Sequence, residues 1–304
     1  MHIAKKTVVV YGVLFSAMLI WGFSFLAIKD VISVVPIFTL LFIRFAMASI
    51  ILGGVGVAKR SLGLSSRNLF TLVGLSLLSP IGYFLFETFG IAHTQPSHVS
   101  VIIAIIPTVV FLIALVRRQE RTNWRKWIGI GLAYVGVLLI IGSSRQEAGA
   151  SLLGDLLIFG AVLCAATRTV FLKEALKRIT PLQATFYPFA FSLLLFGPLA
   201  STESRNWLAL ITPMLLLEML FLGVLCSAAA FLAMHYALKH LSATQVAVSA
   251  NFVPVVTVMA EMLVMGGQIS LFKGVGTAAV IGGVLLARIG EHTLRTTVAG
   301  IEEG

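Results

Sequence analysis

Apolar residues run through this chain in ten stretches, near 9–29, 36–58, 68–91, 96–116, 125–143, 154–173, 181–200, 213–238, 243–265 and 271–290, with short polar turns between them. Each is close to the roughly 20 residues that a helix rising about 1.5 Å per residue needs to cross about 30 Å of hydrocarbon. The pattern predicts an all-α integral membrane protein of ten transmembrane helices. The last five stretches replay the first five. Pro107, Gly129 and the run Gly136-Val137-Leu138-Leu139 return as Pro254, Gly276 and Gly283-Val284-Leu285-Leu286, always 147 positions later. His93/His240, Phe84/Phe231 and Val99/Val246 keep the same offset. Five is an odd number, so the second copy must enter the membrane upside down. The predicted organisation is therefore two inverted five-helix repeats, 1–147 and 148–304, interlocked as one membrane domain. Inverted halves of this kind hold a solute site near the midplane in many secondary transporters.

Composition supports lipid as the main solvent. Hydrophobic residues make up 59% and charged residues 11%, against about 25% charged in soluble domains. The net charge of +10 is a topology signal, because it is distributed by face. Lys5, Lys6, Lys59, Arg60, Arg67, Arg117, Arg118, Arg121, Arg125, Lys126, Lys173, Lys177, Arg178, Lys239, Arg288 and Arg295 fall on one side of the ten-span arrangement. Only Lys29, Arg145, Arg205 and Lys273 fall on the other, while Arg44 and Arg168 lie within spans. Short loops rich in Lys and Arg stay cytoplasmic, so both termini are expected inside. That assignment argues against nucleic acid as a partner. Cys164 and Cys226 lie inside spans without Cys-x-x-Cys spacing, which reads as packing and not as a metal site. No metal or other cofactor is expected.

Several local patterns resemble the drug/metabolite transporter superfamily, in particular its EamA-like ten-helix members. Trp21-Gly22-Phe23-Ser24-Phe25 ends span one near Lys29, and Phe42-Ile43-Arg44-Phe45 follows Pro36 in span two. Gly90, Ser97, Ser100, Pro107 and Glu120 succeed one another through spans three and four, and Gly154-Asp155 opens span six. The resemblance spans essentially the whole chain. The second half departs from it at Gly266-Gly267-Gln268, where a glutamate is usual, and at Phe189, where Arg44 would recur. What the resemblance implies is a polytopic carrier of small organic metabolites or drugs, often an exporter.

Ionisable groups at bilayer depth cost several kcal/mol unless paired or facing water, which makes them candidates for function. Arg44 lies eight residues past Pro36, roughly 12 Å below the outer surface, and Glu87 lies about 6 Å down. Arg44 would attract a substrate carboxylate, with Glu87 as its partner when the site is empty. The alternatives are a permanent Arg44–Glu87 ion pair or an Arg44 that snorkels to the interface. Arg168, roughly 21 Å down span six, either lines the pathway or bonds freed carbonyls and lipid phosphate. His235 is a candidate for titration during transport, or a packing histidine.

Pro107 and Pro254 each leave a backbone carbonyl without its helical donor, at Ile103 and Ala250. They are the predicted hinges. Asn251, beside the second of these carbonyls, is the best uncharged site residue; the alternative is a bond to a neighbouring helix. Trp21 and Ser24, with Tyr83 and Glu87 four apart, would offer a stacking surface and polar contacts, or ordinary packing. The site set is thus Trp21, Ser24, Arg44, Tyr83, Glu87, Arg168, His235 and Asn251.

The expected function is a secondary transporter in the cytoplasmic membrane, working by alternating access with a small-molecule substrate. Membrane lipids are its surroundings, and a proton is a candidate coupling ion through Glu87 or His235. No Gly-x-x-x-x-Gly-Lys-Ser/Thr loop is present to bind ATP. The alternative, a multispan membrane enzyme, would need a catalytic cluster such as paired membrane aspartates, and Asp30 and Asp155 only flank span ends. Monomer and homodimer both remain open.

Overall fold

A computed structural model describes residues 2–93, 102–103, 105–119, 123–142 and 152–253, with 255–256, 259–260, 271, 274–276, 278–283 and 285–286 beyond them. The described chain consists of helices and connecting turns. The elements are α1 (His2–Ile32), α2 (Ile37–Ala58), α3 (Ser66–Ser76), α4 (Tyr83–His93), α5 (Ile106–Val116), α6 (Trp124–Gly142), α7 (Leu152–Ala175), α8 (Pro181–Thr202), α9 (Pro213–Leu220), α10 (Ala230–His240) and α11 (Ala243–Ser249). A further apolar helix, α12, runs over Gly274–Gly283. Two π-helical segments, Leu77–Gly82 and Phe221–Ala229, join α3 to α4 and α9 to α10.

Among the described residues six helices are long and apolar enough to cross a bilayer: Thr7–Ser24, Ile37–Ala58, Ser66–Ile91, Leu152–Ala175, Pro181–Thr202 and Pro213–His240. The chain is a multi-pass membrane protein. Predicted spans four and nine are described only in part, with 102–103 and 106–116 helical in the first and 243–249, 252–253, 255–256 and 259–260 helical in the second. Pro107 stands in the first turn of α5, where its missing amide leaves no bond of that helix unmade, and residues 102–103 shortly before it are also helical. Pro254 lies outside the described residues, as do Ser97, Ser100, Glu120 and Glu261.

The 147-residue offset is visible in the helix ends. Helix α3 begins at Ser66 and α9 at Pro213, while α4 ends at His93 and α10 at His240. Ser65 caps α3 by accepting from the amide of Asn68, and Thr212 caps α9 by accepting from that of Leu215. At the far ends, His93 Nδ1 donates to Phe89 O and His240 Nδ1 to Tyr236 O, each at 2.8 Å. The two π segments overlap in the same register. Pro80 lies inside the first, and Ser227 occupies its offset in the second. Pro80 explains its own break, because it removes a helical donor and crowds the preceding turn.

Contacts divide the chain into two compact units, Met1–Thr88 with Phe171–His240, and Phe89–Val170 with Leu241–Gly304. In the first unit α2 packs along α8, α1 packs on α10 and the second π segment, and α3 packs on α8. Its core gathers Leu41, Phe45, Leu52, Phe84, Phe189 and Phe196. The rings of Phe45 and Phe189 stack with centroids 5.0 Å apart.

Helix α2 is tied to α8 at both ends. Pro36 precedes α2 and supplies no capping side chain. The Glu203 carboxylate caps it instead, accepting from Phe38 N at 3.1 Å, Thr39 N at 2.7 Å and Thr39 Oγ1 at 2.8 Å. The helix N-terminus is electropositive and its first amides lack partners, so a carboxylate there is favourable. At the other end Gln183 Nε2 donates to Ser61 O and Gly63 O, and Tyr187 OH donates to Leu62 O at 2.6 Å. We expect Glu203→Ala to cost about 1–2 kcal/mol of stability, in the upper range for a lost cap. A melting temperature equal to wild type in detergent would show that solvent replaces the cap.

In the second unit α5 packs on α11 around Phe111, Ile130 and Val248. Here α6 and α12 meet backbone to backbone. A Cβ added at Gly136 would lie 2.6 Å from Gly276 O and 2.7 Å from Val280 N. One added at Gly283 would lie 2.6 Å from Gly129 O. Gly129/Gly276 and Gly136/Gly283 are the pairs the sequence repeat singles out, and each member contacts the partner of the other pair. Small residues are what permit such an approach in lipid, where dispersion contacts must drive association.

Candidate functional site

Five of the residues singled out from the sequence lie in the first unit near the second π segment or near Phe84. Trp21, on α1, donates from Nε1 to Cys226 O at 3.1 Å. Arg44, on α2, donates from Nε to Ser227 Oγ at 3.3 Å. Two side chains from separate helices thus end on neighbouring residues of the same widened turn. Ser227 Oγ itself donates to Leu222 O at 2.8 Å. A π segment leaves carbonyls with poor helical partners, and side chains take them up here.

Arg44 is 5% exposed, and its guanidinium carbon sits 5.3 Å from the centroid of the Phe84 ring. A side chain held this way does not snorkel. Nor does it pair directly with Glu87. That carboxylate accepts instead from Tyr83 OH at 2.7 Å, one helical turn away on α4. Among the described residues no hydrogen bond reaches the two Nη groups of Arg44, and no ion pair joins it to Glu87. A buried guanidinium with its fork unused is costly unless an anion or water meets it.

The surroundings are aromatic. Phe231 lies 5.0 Å from Trp21, 5.3 Å from Phe189 and 6.4 Å from Phe84, centroid to centroid. Phe84 and Phe231 are repeat equivalents, so the offset brought both into one cluster. Tyr83 stands edge-on to Phe84 at 5.1 Å. Such walls suit flat apolar groups and leave the few polar atoms to fix orientation.

Ser24 is buried, and its hydroxyl donates to Trp21 O at 2.7 Å, so its proton is spent on its own helix. His235 is fully buried on α10. Its Nδ1 lies 2.7 Å from Thr185 Oγ1, which also lies 2.7 Å from Pro181 O. Thr185 has one proton, and a carbonyl can only accept it, so Nδ1–H is the donor to Thr185. Phe231 lies 6.0 Å from the His235 ring, which places the histidine at the end of the aromatic cluster.

Arg168 and Asn251 belong to the second unit. Arg168 is 5% exposed on α7, which does not fit a side chain reaching lipid phosphate. Asn251 is buried, but it does not stand in mid-helix as expected. Helix α11 ends at Ser249, and residues 250 and 251 form a turn. The Ala250 carbonyl, deprived of its helical donor by Pro254, accepts from Val253 N at 2.9 Å. A tighter turn therefore satisfies a group that the sequence alone leaves open.

Sequence reasoning missed Ser227, Thr185 and Glu203. For Ser227 a signal existed, the offset from Pro80. For the other two the partners come from distant helices, and nothing local marks them.

The fold and this partly satisfied cation define a multi-pass membrane protein with a candidate solute site among its first-unit helices. The model of the EamA-like transporter family matches residues 9–142 and again 152–289. The chain belongs to that family. An uncharacterized transporter of Archaeoglobus fulgidus is 28% identical over 278 residues, 90% of this chain and 96% of that one. The uncharacterized transporter YcxC of Bacillus subtilis is 24% identical, covering 88% of this chain and 89% of its own length. A protein of known crystal structure superposes with a TM-score of 0.78 at 17% identity, over 93% of this chain and 97% of that one. That likeness concerns the fold alone. The chain is a membrane transporter by family, and its relatives are named as transporters.

Proposed function

We propose that this protein is a secondary carrier which exports a small organic solute bearing a carboxylate across the cytoplasmic membrane. Ten helices in two inverted five-helix repeats, 1–147 and 148–304, would alternate access to a shared site, with both termini cytoplasmic. The family match falls twice, on 9–142 and 152–289, and the coincident ends of α3–α4 and α9–α10 agree with that division. Arg168 and Asn251 are proposed to serve the pathway from the second unit.

The observation that carries the reading is the buried guanidinium of Arg44, held by Nε with no hydrogen bond to either Nη group among the described residues. A planar fork of this kind matches a carboxylate with two parallel hydrogen bonds. Glu87 keeps an acceptor oxygen beyond the one Tyr83 engages, which suits an ammonium. Trp21, Tyr83, Phe84 and Phe231 supply apolar walls. Amino acids with apolar side chains are the class that uses all three features.

The test is flux in proteoliposomes, with labelled phenylalanine and 3-phenylpropionate compared across wild type and Glu87→Gln. Both solutes carry the carboxylate, and only the first carries the ammonium. Glu87→Gln is expected to slow phenylalanine about tenfold, the worth of one charged hydrogen bond, and to leave 3-phenylpropionate unchanged. Saturable flux of neither solute in wild type would remove this substrate class.

A further inference from the structure

We infer that Ser227 is a positioning residue, which sets the Arg44 fork and thereby the preference for a carboxylate over its neutral amide. The inference rests on the reading of Arg44 as an anion site and adds to it a residue that touches no solute.

The argument starts from proton counting. The Ser227 hydroxyl has one proton, and at 2.8 Å from Leu222 O that proton is committed, because a carbonyl can only accept. Its lone pairs are then all it can offer, and Arg44 Nε–H, which can only donate, lies 3.3 Å away. The two bonds fix each other's direction. Ser227 is fully buried, so water does not stand in for either.

The geometry of the guanidinium does the rest. Its Nε and its two Nη groups lie in one plane, and a bond made at Nε orients that plane. Phe84 restrains it from one side at 5.3 Å. Among the described residues nothing bonds either Nη group, and both are left for a ligand. A bond to Nη instead of Nε would consume half the fork. Ser227 therefore holds the arginine by Nε, which rules out side-on pairing through Nε and leaves the end-on pair of Nη groups for a bidentate carboxylate. The π segment is what makes this possible, since Ser227 lies five residues after Leu222, and an ordinary helical turn pairs a carbonyl with the residue four on.

A purely structural role would predict lost stability without lost selectivity. The experiment separates the two. Purified protein in nanodiscs is treated with phenylglyoxal, which modifies guanidinium groups, and the extent of reaction at Arg44 is read by peptide mass spectrometry. Protection by 3-phenylpropionate is compared with protection by 3-phenylpropionamide. In wild type the carboxylate is expected to protect and the amide not.

Ser227→Ala is expected to weaken carboxylate protection about tenfold, as for one lost hydrogen bond to a charged group. Ser227→Thr, which keeps the hydroxyl, should restore it. Ser227→Cys keeps the volume with a weak acceptor, and should behave like Ala even where Ala yields too little folded protein. Equal carboxylate protection in wild type, Ala and Cys variants would overturn the positioning role and leave the anion site standing. Absence of carboxylate protection in wild type would overturn both.

Discussion

Replacing Arg44 by Ala is expected to reduce solute flux in proteoliposomes at least about a hundredfold while leaving the protein folded. The magnitude follows from two charge-assisted hydrogen bonds to a carboxylate, each worth about 1.5–3 kcal/mol, where every 1.4 kcal/mol is a factor of ten. Folding should survive because Arg44 makes one hydrogen bond among the described residues, to Ser227, and removing a buried charge also removes its desolvation cost. Arg44→Lys should recover only part of the flux. An ammonium keeps the charge but lacks both the planar fork and the Nε that Ser227 holds. Flux is measured with labelled phenylalanine, and folding by size-exclusion chromatography of the purified variants. Wild-type flux in Arg44→Ala would remove the guanidinium from the site.

Gly136→Leu is expected to deplete folded protein almost completely. The atoms that a side chain would meet there are the carbonyl of Gly276 and the amide of Val280. Both are backbone, so no rotamer change relieves the clash, and α6 and α12 would have to separate. Overpacking a rigid contact costs about 1–3 kcal/mol and sometimes more; two helices forced apart fall at or above the upper end. Gly131→Leu, on the same helix but with nothing within 4 Å of its added Cβ, is the matched control and should purify normally. Equal yields of monodisperse protein from both variants would mean that this contact does not hold the helices together.

Much of the architecture could be read from the chain. Runs of apolar residues long enough for a bilayer announce helices, because lipid offers backbone groups no other partner. The 147-residue offset announced the matched ends of α3–α4 and α9–α10, since equal spacing of caps and periodic residues gives equal helices. It also singled out the glycines at which α6 and α12 touch. Trp21, Arg44, Tyr83 and Glu87 were legible as candidates because burying such groups is expensive and calls for a reason.

Their partners were not legible. Sequence depth put Arg44 near Glu87, yet the carboxylate turned to Tyr83 on its own helix and the guanidinium to Ser227, 183 residues away. Depth fixes one coordinate; rotation about two helix axes fixes which atoms meet. What each proline does to its helix is hidden from the sequence for a related reason. Loss of an amide is certain from sequence, but whether the helix bends, starts or tightens depends on neighbouring turns. Pro107 stands in the first turn of α5 shortly after helical residues 102–103, and the Ala250 carbonyl accepts from Val253 N.

The sequence by itself determined the solvent, the helical content and the internal repeat, because each depends on local composition and spacing. Only the tertiary structure decided where the helices widen, which side chains fill the freed carbonyls, and which atom of Arg44 is held by Ser227. Those outcomes depend on angles between helices remote in sequence, and a periodicity along one chain carries no record of them.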